Sequence, residues 1–264
     1  MYPILTTLLL LISTVLTNAN TTHNHSLTHS LVMTMILRDE AINLRSNLPL
    51  WRDQGHVDYF VFLLDHRTTD DSEEAIRSIL GDSSDSDSDS GSSSGGGSGV
   101  PYKIFYHEFG GFGPARTRSL RHAWTSFPQA THVWIADPDW KVDSNIPIQK
   151  TDLDLIHDAF RFVIYDRNGV TTRRCDWLLR HREGLGMRYN LHEVLDIGIY
   201  NYTTVPWVVH EIEQVGSWHT TVGHTDSFSA KRMQFDLDLL YKDLEIYGHD
   251  PHTHKYLGVT HMGY

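Results

Sequence analysis

Asp137 and Asp139 stand two apart behind the apolar run His132 to Ala136, with Pro138 between them. The proline fixes φ, so the chain leaves the run as an extended turn carrying two carboxylates toward a shared ligand. A hard cation such as Mg²⁺ or Mn²⁺ takes one or two carboxylates together with phosphate oxygens, which makes this a diphosphate-binding pattern. The same spacing also occurs in solvated turns, so its meaning depends on what lies nearby. Asp65 closes a second apolar run and opens His66-Arg67-Thr68-Thr69-Asp70. A carboxylate there suits a ribose or the edge of a base, while Thr69 or Asp70 equally suits the N-cap of a helix running through Ile79. Asp39-Glu40, behind the first apolar run, fits either part. Phe109 to Arg116 is rich in glycine and precedes a helical pattern. It reads as a close backbone approach to an anion, with Arg116 near the positive helix end, or as a flexible connection.

These residues need elements to hold them. Leu31 to Leu37 has strand length and no break, the helical pattern of Ile42, Leu44, Leu48 and Trp51 ends near Gly55-His56, and Tyr59 to Leu64 is a second buried strand. Strand, helix, strand is a βαβ unit, which implies parallel strands with a ligand crevice at their carboxyl ends. A third strand is expected over Val100 to His107, a helix over Arg116 to Ser126, and a fourth strand over His132 to Ala136. Phe160 to Tyr165 and Arg173 to Leu179 flank Asp166-Arg167-Asn168-Gly169, a strong hairpin signal. Beyond Ser227, Phe235, Leu239, Leu240, Leu244 and Tyr247 recur at helical spacing, Gly248 to Pro251 breaks the run, and His254 to Tyr264 begins another helix. Asp82 to Gly99 contains no apolar residue and reads as a disordered acidic Ser/Gly insertion. Of the tryptophans, Trp140 follows the Asp-Pro-Asp turn and is expected at the crevice rim as a sugar-stacking face.

Composition bounds the alternatives. The chain has 264 residues, 40% of them apolar, and a formal charge of -11. Such an acidic balance argues against a nucleic-acid partner, whose affinity comes from Lys and Arg releasing counterions. A single cysteine, Cys175, forbids an intrachain disulfide and reads as a buried small hydrophobe. Of the 18 histidines, His23, His25, His29, His249, His252, His254 and His261 lie near the termini, without zinc-ligand spacing. Ile4 to Leu16 is an apolar run ending in Thr17-Asn18-Ala19, so residues 1–19 read as a signal peptide or weak membrane anchor, although no Lys or Arg precedes the run. In that case the chain enters the endoplasmic reticulum or Golgi lumen or is secreted, and Asn20, Asn24 and Asn201 become glycosylation acceptors. If the segment is instead a disordered or core-packed N-terminus and not a signal, the chain is expected to be cytoplasmic.

The order of these segments resembles the family-two nucleotide-sugar glycosyltransferases of GT-A fold. Met35 to Leu44, with Arg38-Asp39-Glu40 at its centre, looks like the family's opening strand and Lys/Arg-Asn/Asp-Glu segment. Asp65 to Asp70 is similar to its Asp-x-Gly-Ser-Thr-Asp segment, with His66-Arg67 in place of the small residue and glycine. Phe112 to Ala123 is similar to its Phe-x-x-Ala-Arg-Asn helix, with Arg116 in the arginine position and Thr117 where asparagine stands. Asp137-Pro138-Asp139 falls where the family places its metal motif, and Arg180 to Glu193 is similar to the acceptor-side segment that ends in His-Glu.

The resemblance implies an α/β fold of GT-A, Rossmann-like type, a mixed sheet flanked by helices. The catalytic domain would span residues 30–228, and residues 229–264 would form a partial tetratricopeptide-like tail. It implies transfer of a sugar from a nucleoside-diphosphate sugar to a hydroxyl of a glycan, protein or lipid, with Mn²⁺ or Mg²⁺ on Asp137 and Asp139. Donor base and ribose would lie against Asp39, Glu40, Asp65, Asp70, Arg116 and Asp137. Glu193 would be the general base of an inverting reaction, with His192 as its orienting neighbour or a metal ligand, unless Glu193 forms only a surface salt bridge. The alternatives are an inactive glycosyltransferase-like binding or scaffold protein and, more remotely, a His-rich metal-dependent hydrolase.

Overall fold

The computed structural model describes residues 29–54, 56–81, 99–143, 145–146, 148–165, 172–196, 201–211 and 230–262. The N-terminal segment 1–19, the insertion up to residue 98, the turn Asp166 to Gly169 and the sequons at Asn20 and Asn24 lie outside the described residues. The elements are β1 (Leu31–Leu37), α1 (Ala41–Asp53), β2 (Tyr59–Asp65), α2 (Ser72–Leu80), β3 (Tyr102–His107), α3 (Phe112–Ser126), β4 (His132–Ile135) and β5 (Trp140–Val142). They continue with β6 (Ala159–Tyr165), β7 (Thr172–Arg180), β8 (Met187–Arg188), β9 (Val194–Leu195), β10 (Tyr202–Glu211), α4 (Ala230–Tyr247) and α5 (Pro251–Met262).

Eight strands form one sheet in the order β3-β2-β1-β4-β7-β6-β10-β5. β1 runs parallel to both β2 and β4, and β2 is parallel to β3. β7 is antiparallel to β4 and β6, β10 is parallel to β6, and β5 closes the edge antiparallel to β10. The chain is thus α/β, with a large mixed sheet flanked by helices, and the βαβ reading of its first half holds. The uninterrupted apolar runs of β1 and β2 follow from burial on both faces. Leu31, Met33, Met35 and Leu37 join α1 and α2 in one core cluster, while Val32 joins α3 in a second. The period of two along a strand produces that division.

Trp140 differs from expectation. It is 1% exposed and packs within the first cluster, stacked 5.8 Å from Trp177, so it is a core residue that backs the wall of a cleft shared with Trp177 and Glu193, not an exposed rim platform. Helix α3 begins at Phe112, four residues before Arg116. Pro114 is tolerated because the first amides of a helix have no partner within it. Gly248, at φ +67°, ends α4, and Pro251 opens α5. Leu239, Leu240 and Leu257 of this helix pair form a third cluster with Leu191. No helix among the described residues is long and apolar enough to cross a membrane.

Candidate functional site

The chain proceeds from β1 outward to β2 and β3 and then returns to place β4 on the other side of β1. In doubly wound sheets, ligands bind outside the carboxyl ends of the strands where the order reverses, and here that point lies between β1 and β4. Asp39 and Glu40 follow β1, and Asp137 to Asp139 follow β4. Helix α1 holds the Asp-Pro-Asp turn in place. The Asn47 amide donates to the Pro138 carbonyl at 2.7 Å, and the Trp51 indole donates to the Trp140 carbonyl at 2.9 Å.

The acids after β1 and β2 organise one another. Asp39, in the left-handed region at φ 55°, accepts the Thr69 amide at 2.6 Å, the Thr69 hydroxyl at 3.1 Å and the Asp70 amide at 3.3 Å. Asp70 in turn accepts the Ala41 amide at 2.8 Å and the Ser72 amide at 3.0 Å, and the Ser72 hydroxyl accepts the Glu40 amide at 2.8 Å. The β2–α2 loop therefore caps α1, which makes no side-chain cap bond at its own N-cap. Asp70 acts as the capping residue that the sequence offered, since it also binds the first amide of α2. Asp65 is held by Arg67, with a guanidinium bond at 2.7 Å and the Arg67 amide at 3.0 Å. Burial pushes the Asp65 carboxyl up, but Arg67 outweighs it and keeps the group below the usual carboxylate range. Glu40 is buried and accepts the Asn43 side-chain amide at 2.7 Å. Burial, reinforced by the charges of Asp137, Asp70 and Asp39, pushes Glu40 up to about 8 against the Asn43 bond.

Arg116 joins the two halves of the site. Its side chain is 4% exposed, its Nη2 donates to Asp137 Oδ1 at 2.7 Å, its Nε donates to Glu193 Oε1, and its guanidinium lies 4.3 Å from the centre of the Trp177 ring. Burial works against its charge, yet Asp137 and Glu193 more than offset this and hold it protonated above its ordinary range. A first cleft lies at the ends of β1 to β3, lined by Leu37, Arg38, Glu40, Asp65, His107 and Phe109. A second is lined by Asp176, Trp177, His192, Glu193, His252 and Tyr256. Asp39, Asp70 and Arg116 line neither cleft; they position the residues that do.

β8 and β9 pair, which makes Tyr189 to Glu193 a five-residue hairpin loop. Tyr189 and His192 take positive φ, 68° and 54°. Left-handed backbone costs about 1–2 kcal/mol for a residue with a Cβ, so surrounding contacts must hold both. The contacts come from two sides. The Phe112 amide donates to the Asn190 carbonyl at 2.8 Å and the Gly113 amide to the Tyr189 carbonyl at 3.1 Å. The close approach that the glycines permit is thus to the chain's own loop. A Cβ on Gly111 would lie 2.0 Å from Asn190 Oδ1, and one on Gly113 would lie 2.1 Å from the Tyr189 carbonyl oxygen. This corrects the anion-cradle reading of Phe109 to Arg116, because these two amides at the helix start are spent on the hairpin. From the other side, Tyr189 stacks on His252 at 4.0 Å, His192 stacks on Tyr256 at 3.9 Å, and His252 Nε2 lies 2.9 Å from the His192 carbonyl oxygen.

Sequence reasoning passed over Trp177 in favour of Trp140 and missed Asp243, His252 and Tyr256. Only Asp243 carried a readable signal, because it stands four residues after Leu239 and three after Leu240, an acid on the apolar stripe of α4. Cys175 is half-buried on β7, not fully enclosed.

Asp137 and Asp139 offer hard oxygen donors of the kind Mg²⁺ or Mn²⁺ shares with a diphosphate. Among the described residues there is no group of three or more His, Cys, Asp or Glu that could hold a metal ion. Two carboxylates alone would leave most of such a cation's coordination to other oxygens, and Asp137 Oδ1 already accepts the Arg116 Nη2 at 2.7 Å. His249 and His254 pair with each other, ring nitrogens 2.8 Å apart. No protein-family model matches the chain, and no curated protein matches it significantly.

Proposed function

We propose that this chain is a nucleotide-sugar-dependent glycosyltransferase of GT-A type that transfers a sugar, with inversion, to an acceptor hydroxyl. The observation that carries the reading is the junction at Arg116. One buried guanidinium connects the acidic turn after β4, at the switch point of the sheet, to a carboxylate lining a separate cleft. Two substrates that must meet need such an arrangement. The donor's base and ribose suit the first cleft, where Phe109 and His107 supply faces and Asp65 and Glu40 supply polar edges. The acceptor suits the second cleft, beside Trp177 and Tyr256.

In the reaction the acceptor oxygen attacks the anomeric carbon, the carbon–oxygen bond to the diphosphate breaks, and the hydroxyl proton passes to Glu193. A Mn²⁺ or Mg²⁺ held by Asp137 and Asp139 would supply positive charge for the leaving diphosphate. Arg116 fixes the Glu193 carboxylate and adds charge beside Asp137. Glu193→Gln is expected to lower turnover by about 10²–10⁴-fold while nucleotide binding persists; unchanged turnover would remove Glu193 from this role.

Thermal unfolding of the chain lacking residues 1–19, with Mn²⁺ and a panel of UDP, GDP and CMP, in wild type and Asp139→Ala, tests the donor site. A nucleotide-specific rise in midpoint that requires both metal and Asp139 is the expected outcome. A second reading, an inactive glycosyltransferase-like binding protein, is favoured by the internal pairing of Asp65 with Arg67 and of Glu193 with Arg116. It predicts no metal-dependent rise in midpoint with any of the nucleotides.

A further inference from the structure

We infer that Asp243 is a positioning residue for Glu193 and His192, and that α4 and α5 are a working part of the second cleft. This rests on the reading of Glu193 given above, but its structural half can be tested without it. Asp243 is fully buried on α4. Its Oδ1 accepts the Asn190 amide at 2.6 Å and the Asn190 side-chain amide at 2.8 Å, and its Oδ2 accepts the Leu191 amide at 3.3 Å. A buried carboxylate is tolerated only where donors replace its water, and here the donors come from the hairpin loop that ends in Glu193.

The geometry explains why a carboxylate stands there. Between the left-handed residues Tyr189 and His192 the backbone turns two successive amides toward α4. One side chain with two acceptor oxygens can bind both. Asn190 is pinned from opposite sides, its carbonyl by the Phe112 amide and its amides by Asp243. Glu193 is three residues further on, so the clamp sets the backbone from which its side chain leaves, and Arg116 then fixes the carboxylate. An asparagine in place of Asp243 would keep one acceptor and set an NH₂ group against a donor.

The experiment compares wild type with Asp243→Asn and, as a second variant away from α4, Asn190→Ala, in the full chain. Amide hydrogen exchange is read over residues 187–196 and over β1 and β2. Hydrolysis of UDP-glucose and GDP-mannose with Mn²⁺ is followed in parallel, with water as acceptor. Both variants are expected to speed exchange in 187–196 while β1 and β2 stay protected. They should lower kcat by about 10²-fold, the scale of a misplaced reacting group, with donor KM unchanged. Unchanged exchange in 187–196, or a loss spread evenly over the sheet, overturns the assignment. So does faster exchange in that segment with kcat intact. If the wild type hydrolyses neither donor, the glycosyltransferase reading is weakened, and exchange alone then decides whether Asp243 holds the loop.

Discussion

Arg116 is one almost wholly buried guanidinium shared by carboxylates from two distant parts of the chain. Breaking a buried pair by removing one partner leaves an uncompensated charge, so Arg116→Met is expected to cost about 3–5 kcal/mol in urea unfolding. Arg116→Lys should also lose stability, because an ammonium cannot present two separated donors along one plane. Glu40 is a different case, a buried carboxyl whose protonated form the fold favours. Its folded pKa of about 8 lies above its ordinary value, so the folded state binds the proton more tightly than the unfolded chain. Stability from this group is complete below pH about 4.5 and is lost as the pH rises through about 8. Glu40→Gln keeps an acceptor for Asn43 and should flatten that decline, as measured by denaturation midpoints from pH 4 to 9. Asp137, Arg116 and Glu193 were each legible as residue types behind a strand, at a helix start and in a His-Glu pair. Their union was not legible, since Arg116 and Glu193 lie 77 positions apart and only the folded sheet brings them together.

At the scale of elements, the glycine-rich approach offers the sharpest contrast. Nothing lies within 4 Å of a Cβ built on Gly110, whereas one on Gly113 meets a backbone carbonyl oxygen. Gly113→Ala should therefore cost about 1–3 kcal/mol by overpacking, and Gly110→Ala should leave the thermal midpoint nearly unchanged. Equal effects would show that the hairpin loop is not seated against α3. Strand positions were largely readable, because β1, β2 and β4 are buried on both faces and leave continuous apolar runs. Trp140 was misplaced for a physical reason. A position next to a polar turn suggests exposure, but the chain enters β5 at once and returns the indole to the core. The helices after Ser227 were recognised by period alone, which identifies an apolar stripe and says nothing of what it covers; the stripe faces Leu191 and the hairpin loop.

The whole molecule divides its stability unevenly. Trp51, Trp134 and Trp207 meet in one cluster at the centre of the sheet, with ring centres 4.9 and 5.2 Å apart, while α4 and α5 hold on through a small separate cluster. Local opening follows the number of buried apolar contacts, so amides of α4 and α5 should exchange at lower free energy than those of β1 and β2. Identical exchange free energies throughout would mean that the helices and sheet open as one unit. A different kind of unity joins the turns after β1 and β2. Asp39 binds the second turn, and Asp70 and Ser72 bind the first. Double-mutant cycles on Asp39→Ala and Asp70→Ala should therefore be non-additive by about 0.5–3 kcal/mol. For recombination this means that a crossover between residues 40 and 69, drawing its halves from divergent parents, separates partners that work only as a matched set. The two turns must be inherited together.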